Sequence, residues 1–312
     1  MSEAQGSQNI KSTNMNAQMW AVLGGDAYFP CEEAVKELPP GQYTIEHSND
    51  RGIFFSRKDV NLDDLVVLPD SATDAVLAEI EEFWRREDVY RKYRYLWKRG
   101  VLLWGPPGSG KTTTVQLISK SIIDRGGISV YCSNPKNAAF GLRLMRKVEP
   151  KRPIVVMMED IDAIVHNHEA DLLSLLDGEL QIDNVVFVAT TNYPEKLDKR
   201  IVNRPSRFDL VKKVPMPSPQ ARRVYLLSRE PDLEEQRRSL SEAQMTNLGF
   251  AAADVNELDY WIALTDNFSV AHIKEVILGV KCFGKPVEEV VKRMRNLMQK
   301  PPSSMSSEAG FS

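Results

Sequence analysis

The chain has 312 residues, of which 42% are hydrophobic and 27% charged, and its formal net charge at pH 7 is −3. These values are ordinary for a soluble globular protein with a sizeable core, and they give the molecule as a whole no electrostatic attraction to nucleic acid or to an anionic membrane. The three cysteines lack metal-ligand spacing, and no apolar run approaches the ~20 residues of a membrane-spanning helix. We therefore expect no membrane insertion and a reducing, cytoplasmic setting.

The chain begins and ends in polar segments that resemble disordered sequence. Residues 1–17 and 301–312 are small and polar, and we expect both to be disordered. Residues 18–69 are predicted to form a small N-terminal α+β module. Within it, two short runs suited to strands, 42–46 and 53–56, flank a turn-rich stretch and predict a hairpin.

Residues 70–214 alternate between helical and strand patterns. Four continuous apolar runs follow one another in this block: 101–104, 128–132, 154–158 and 185–189. Such runs indicate strands that are buried on both faces, as in a parallel sheet covered by helices. A stiff "PMPSP" break then leads into residues 215–300, whose patterns look helical throughout, and we predict that they form a small helical lid.

The first apolar run leads directly into "GPPGSGKTTT", which fits the pattern G-x-x-x-x-G-K-[ST]. The glycines permit a loop whose N–H groups point at phosphate, and the following helix directs its positive N-terminal end at the anion. The lysine would reach the outer phosphates, and the threonine hydroxyl would bind Mg²⁺. The predicted nucleotide-binding residues are Gly105, Pro106, Pro107, Gly108, Ser109, Gly110, Lys111, Thr112 and Thr113. The pattern indicates a nucleoside triphosphate and leaves the base open.

The third apolar run stops at adjacent acids in "PIVVMMEDID". Glu159 and Asp160 fall at the carboxyl end of this strand, the edge where ligands bind in such sheets. A phosphate loop needs an acid from a neighbouring strand for the metal and a polar group that orients the attacking water. A solvated acidic turn is the alternative interpretation. We expect Asp162, slightly further on, to cap the next helix or to pair with a basic residue.

Five stretches in a fixed order resemble the AAA ATPases of the AAA+ class. They are "GPPGSGKT", "MEDIDAI", "LLSLLDG", "VVFVATTN" and "NRPSRFD". Within that class, the glutamate before the aspartate and the segment "WKRGVLLWGPPGSGKT" resemble the branch of the mitochondrial Rieske-protein translocase, whose membrane helix is not seen here. The resemblance implies an α/β P-loop fold with a parallel five-stranded sheet in the order 5-1-4-3-2, followed by the helical lid.

The resemblance also implies Mg²⁺-dependent ATP hydrolysis and assigns roles to the acids. Thr112 and Glu159 would lie on the metal side, while Asp160 and Asn192 would orient the attacking water, Asn192 as the residue that touches the γ-phosphate. The common order in the family is aspartate before glutamate, so an exchange of roles between Glu159 and Asp160 remains an alternative. For Asn192 the alternative is an ordinary turn asparagine.

Two arginines in "NRPSRFD" match the family's paired arginine fingers. Arg204 and Arg207 would each present a planar cation to the γ-phosphate of a neighbouring subunit. For Arg207 the alternative is a salt bridge to Asp209 in the same chain. In the lid, Ala271 takes the place where other branches have a phosphate-sensing arginine, and we expect His272 to be an ordinary packed residue.

A ring of identical subunits follows from fingers that act between subunits. The resemblance implies a hexamer or heptamer that remodels, translocates or disassembles protein substrates. Phe140–Gly141 matches only part of the family's substrate-gripping loop, and a helix with Phe140, Leu144 and Val148 on one face is the alternative. The basic, aromatic stretch 84–100 leaves open a motor associated with nucleic acid, although we favour a packed helix there. An ATP-gated assembly switch with slow turnover is the other alternative.

Overall fold

A computed structural model describes residues 19–23, 27–31, 33–49, 52–59, 65–69, 72–177, 182–202, 204 and 206–299. The predictions for residues 1–17 and 301–312 lie outside the described residues. Strands β1 (Met19–Leu23) and β2 (Ala27–Cys31) form an antiparallel pair. No helix in the described part of the chain is long and apolar enough to cross a membrane.

A seven-stranded sheet forms the centre of the molecule. Its strands are β3 (Gly41–Ser48), β4 (Gly52–Lys58), β5 (Lys98–Trp104), β6 (Ile128–Tyr131), β7 (Ile154–Met158), β8 (Val185–Thr191) and β9 (Leu210–Lys213). The order across the sheet is β4-β3-β6-β7-β8-β5-β9, and only the β3–β4 pairing is antiparallel. The five strands from β5 onward therefore have the order 5-1-4-3-2, which confirms the predicted core.

The predicted hairpin extends this sheet. Strand β3 pairs in parallel with β6, so the sheet has seven strands where five were predicted. The close approach of helix α4 (Pro135–Val148) depends on Gly141, because a Cβ at that position would lie 2.4 Å from a side-chain carbon of Ile45 on β3. Phe140 and Gly141 thus belong to a helix rather than to a gripping loop. Phe140, Leu144 and Val148 are exposed, since the buried face of α4 consists of other residues.

The side chains of each apolar run pack into hydrophobic clusters on both faces of the sheet. Along β7, Ile154, Val156 and Met158 contribute to one hydrophobic cluster, while Val155 and Met157 contribute to a second. Successive side chains of a strand point to opposite faces of its sheet. A strand that is covered on both faces must therefore be apolar at every position, which is the pattern in the sequence.

Helices cover both faces of the sheet and form the C-terminal part. Besides α4, the helices before residue 215 are α1 (Ala72–Arg85), α2 (Glu87–Lys92), α3 (Lys111–Asp124), α5 (Ile161–Asp177) and α6 (Lys199–Val202). The C-terminal part contains α7 (Pro219–Arg229), α8 (Glu242–Leu248), α9 (Glu257–Leu264), α10 (Val270–Lys281) and α11 (Val287–Gln299). These last five share a third hydrophobic cluster, in agreement with the predicted lid. A small antiparallel pair, β10 (Arg237–Ser239) and β11 (Asp254–Asn256), interrupts the block that the sequence predicted to be entirely helical.

Candidate functional site

The phosphate loop lies between the end of β5 and the start of α3. Gly108 and Gly110 have φ angles of +75° and +101°, in the left-handed region that glycine enters at little cost. A Cβ at Gly108 would lie 2.5 Å from the hydroxyl oxygen of Ser269, the residue that caps α10 of the lid. The loop is therefore closely packed against the lid as well as open toward a ligand.

Lys111 is the buried cation of this loop. Its Nζ donates hydrogen bonds to the carbonyl oxygens of Gly105 and Pro106, at 2.8 and 2.9 Å. Burial lowers the pKa of Lys111, and the charge of Asp160 works in the opposite direction. The ammonium group is thus already removed from bulk water, so an anion on the open side of the loop would meet a cation with little hydration left to lose.

Glu159 and Thr112 face each other across the site. The Thr112 hydroxyl donates to Glu159 Oε2 at 3.5 Å. Burial and then the neighbouring charge of Asp160 raise the pKa of Glu159, while the Thr112 hydrogen bond lowers it. A hydroxyl and a carboxylate are hard oxygen ligands that suit Mg²⁺. No group of three or more histidine, cysteine or acidic side chains among the described residues could hold a metal alone. This donor set therefore fits Mg²⁺, which Thr112 and Glu159 would hold from the protein side.

Asp160 and Asn192 form the polar pair beside the loop. Asn192 Nδ2 donates to Asp160 Oδ1 at 3.3 Å, and the backbone N–H of Asp160 donates to the hydroxyl of Thr190 at 3.1 Å. Asp160 has a φ of +47°, which is unusual for a residue with a side chain. The Oδ1 atom of Asn192 is buried and has no hydrogen-bond partner in the described structure. Such an orphaned acceptor is costly unless a ligand or water donates to it.

Asp162 has a different function from the expected one. It accepts a hydrogen bond from the hydroxyl of Thr191 at 2.8 Å, rather than pairing with a basic residue. The same hydroxyl accepts from the backbone N–H of Tyr193 at 3.0 Å. Asp162 and Thr191 thus fix the turn that carries Asn192. Sequence reasoning missed both Thr190 and Thr191, although the pair of threonines before an asparagine at a strand end was a visible signal.

Two cavities meet above the loop. One, of about 500 Å³, lies between the lid and the start of α3, and its walls include Leu117, Tyr225 and Ile277. The other, of about 370 Å³, is lined by Lys111, Asp160 and other residues of the site just described. Ala271 lines the second cavity, whereas His272 lines neither and bonds through Nδ1 to the hydroxyl of Ser269 at 2.7 Å.

The two predicted fingers have different environments. Arg207 is 4% exposed and pairs with both carboxylate oxygens of Asp177, at 2.9 and 3.2 Å; it also donates to the carbonyl of Arg200. The Arg204 side chain is 62% exposed, and its ion pair to Asp177 is 3.4 Å long. Neither arginine lines the two cavities. The alternative partner of Arg207, Asp209, instead accepts from the backbone N–H of Gly100 at 2.9 Å.

A comparison with known proteins matches the part of the chain that contains this site. Residues 101–216 match the family model described as "ATPase family associated with various cellular activities (AAA)". The chain contains an AAA ATPase domain. The predicted α/β fold, the phosphate loop and the assignment of these residues to an ATPase family are thereby confirmed.

Distant relatives share this domain. The chain is 34% identical to an ATP-dependent zinc metalloprotease FtsH of Acidothermus cellulolyticus, over 49% of the chain and 26% of the relative. It is 32% identical to a proteasome-activating nucleotidase of Sulfurisphaera tokodaii, over 59% of the chain and 52% of the relative. It is 24% identical to the mitochondrial inner membrane i-AAA protease supercomplex subunit YME1 of Saccharomyces cerevisiae, over 65% of the chain and 29% of the relative. These alignments span from about a quarter to about half of each relative.

Proposed function

We propose that the protein is a Mg²⁺-dependent ATPase that works as a ring of identical subunits, a hexamer or a heptamer, and remodels, translocates or disassembles protein substrates. The observation that supports hydrolysis best is the arrangement of Asp160 and Asn192 beside the phosphate loop, with an unpaired acceptor on Asn192. Two polar groups that converge next to a buried lysine are suited to hold a water in line with a phosphoryl group.

In this proposal each side chain of the site has one task. Asp160 accepts the proton of the attacking water, and Asn192 accepts a second hydrogen bond from it. Lys111 neutralises charge on the transferred phosphoryl oxygens. Thr112 and Glu159 would hold Mg²⁺, which supplies further charge neutralisation at the phosphates. The contact between Thr112 and Glu159 and the contact between Asp160 and Asn192 support this division of roles over the exchanged one.

The position of Arg204 supports the proposal of a ring. Its guanidinium is largely solvent-exposed and lines neither cavity of its own chain. A cation in that position can complete a nucleotide site only on an adjacent molecule. We assign Arg204 the role of the finger and Arg207 the role of positioning it, because Arg207 is buried against Asp177.

The protein substrate is supported by the relatives. By their names, three of them are an ATP-dependent zinc metalloprotease, a subunit of an i-AAA protease supercomplex and a proteasome-activating nucleotidase. We further propose the branch of the Rieske-protein translocase, supported by the order of Glu159 before Asp160. We also propose a cytoplasmic compartment and a domain boundary at 214/215. The predicted N-terminal module is not separate at 69/70, because its hairpin β3–β4 belongs to the central sheet.

A hydrolysis-dead variant tests this function. Asp160→Asn keeps the size of the side chain and removes the base, so we expect ATP to be bound without turnover and a ring that retains a protein partner. Lys111→Ala is the matched control, because it should prevent ATP binding and therefore release the protein partner. Size-exclusion chromatography with light scattering, phosphate release and mass spectrometry of the co-purified protein are the measurements. Monomeric Asp160→Asn protein with undiminished phosphate release would refute the proposal.

A motor associated with nucleic acid is the second candidate. The observation in its favour is that Tyr93 and Tyr95 are 62% and 70% exposed, next to the basic residues Lys92 and Arg94. Exposed rings between cations can stack on bases while the cations contact phosphate. Salt-dependent binding of single-stranded DNA or RNA that stimulates ATP turnover, and that is lost in a Tyr93→Ala, Tyr95→Ala double variant, would favour this candidate.

A further inference from the structure

Lys274 is a cation of the lid that faces the nucleotide cavities. It lies on α10 and lines both of them: the one of about 500 Å³ and the one of about 370 Å³. Gly110 and Thr113, at the start of α3, also line both cavities. Lys274 is therefore at the junction of the two spaces, directly across from the positive N-terminal end of α3.

The rest of this helix face is apolar. Val270, Ile277 and Leu278 each lie three or four positions from Lys274, so they share one side of α10 with it, and all four residues line the larger cavity. Ile273 and Val276, on another side, are buried in the core of the lid. The charge of Lys274 lies within an apolar stripe that faces a cavity, so it is not needed for packing.

Lys274 also has no hydrogen-bond or ion-pair partner in the part of the chain that the structure describes, and its side chain is exposed. Other lid cations are engaged: Arg222 pairs with Asp266 at 3.1 Å, and Lys281 pairs with Glu230 at 2.8 Å. The unpaired ammonium therefore faces a phosphate cradle.

We propose that Lys274 binds a phosphate oxygen of the nucleotide and thereby attaches the lid to the loop. This inference rests on the proposed function, since it requires that ATP occupies the cradle. Lys111 holds the phosphates from the large domain, and Lys274 holds them from the opposite wall. The lid would then sense the phosphates although Ala271, one turn earlier on α10, carries no charge.

The affinities of three nucleotides test this contact. We expect Lys274→Gln to weaken binding of ATP and ADP roughly 10-fold, as for one charged hydrogen bond, and to leave adenosine binding unchanged. Lys274→Arg should retain most of the affinity. The matched control is Lys292→Gln on α11, another exposed lid lysine that lines neither nucleotide cavity. Equilibrium fluorescence titration with labelled nucleotides, competed by unlabelled ATP, ADP and adenosine, gives these values.

The outcomes separate this inference from the proposed function. Equal losses for ATP, ADP and adenosine would overturn it, because they would indicate packing against the base or ribose. Unchanged ATP and ADP affinities in Lys274→Gln would also overturn it and leave the ATPase intact. Failure of the wild-type protein to bind ATP would instead refute the proposed function itself. Circular dichroism of both glutamine variants verifies that the lid remains folded.

Discussion

Arg204 and Arg207 have different proposed roles, finger and positioning residue, and their alanine variants should therefore behave differently. Arg204→Ala removes an exposed guanidinium whose ion pair to Asp177 is 3.4 Å long and largely solvated. Exposed pairs of this kind contribute at most about 1 kcal/mol, so we expect nearly unchanged stability. Loss of a finger that acts between subunits should nevertheless reduce ATP turnover by about 10³- to 10⁵-fold.

Arg207→Ala should, in contrast, destabilise the fold. The side chain of Arg207 is 5% exposed and makes two contacts with Asp177, at 2.9 and 3.2 Å. Burial alone would raise the pKa of Asp177, but the hydrogen bond and charge of Arg207 outweigh it, and the net pKa lies below its ordinary value. Breaking a buried pair costs about 3–5 kcal/mol. At about 2–4 °C per kcal/mol, the unfolding midpoint should fall by roughly 6–20 °C.

Mixing two inactive variants provides the decisive assay. In Arg204→Ala the nucleotide site is intact and the finger is missing, while in Lys111→Ala the finger is intact and the site is lost. Mixed rings place an intact finger beside an intact site, so we expect phosphate release to return when the two proteins are combined. Each variant alone at the same total concentration is the control. The reasoning is wrong if the mixture stays inactive although both variants assemble, or if Arg204→Ala alone retains full turnover.

Two further predictions concern the loop and its metal side. Burial and the charge of Asp160 raise the pKa of Glu159. Mg²⁺-dependent nucleotide binding should therefore weaken as the pH falls through a value above the ordinary pKa of glutamate, ~4.3. This loss of binding at low pH should be absent in Glu159→Gln, and its persistence in that variant, in titrations from pH 7.5 to 4.5, would contradict the assignment. Gly108→Ala should lower the free energy of unfolding by about 1–2 kcal/mol, because Gly108 has a positive φ, and it should also displace Ser269. Gly126→Ala is the matched control, because Gly126 has a φ of +80° and open space around its Cβ. Adding Ser269→Gly should partly restore the nucleotide affinity of Gly108→Ala and should not help Gly126→Ala. A Gly108→Ala, Ser269→Gly double variant with unchanged affinity would contradict this reasoning.

The sequence predicted what is encoded locally. The phosphate loop is a contiguous pattern between a strand and a helix, and the strands buried on both faces are continuous apolar runs. The order of the five core strands came from the resemblance to a family rather than from any pairing signal in the residues. The contacts between Asp160 and Asn192 span 32 positions, yet both residues end neighbouring parallel strands, so sheet geometry brings them together.

The missed features depend on contacts that no local pattern shows. Arg207 was predicted as a finger or as a partner of Asp209, but its partner is Asp177, 30 positions earlier. The sequence also gives no sign that Gly100 is required, although a Cβ there would lie 1.8 Å from the carbonyl oxygen of Arg207. The hairpin was predicted correctly as a hairpin, and its pairing with β6 could not be, because edge pairing depends on backbone groups common to all residues.

Strand β5 connects the parts that must act together. At its start, Lys98 donates to the carbonyl of Leu176 and, at 3.0 Å, to that of Ser206 in the segment of the fingers. At its end, the carbonyl of Trp104 accepts from the N–H of Val214, where the chain leaves for the lid, at 2.7 Å. The phosphate loop begins at the next residue. Because β5 pairs with β8 over its full length and with β9 over Val101–Trp104, it connects the segment that contains Arg204 and Arg207 to the phosphate loop of the same subunit. The chain enters the lid after Val214, and we expect movements linked to the nucleotide to occur in the lid because it is not part of this sheet.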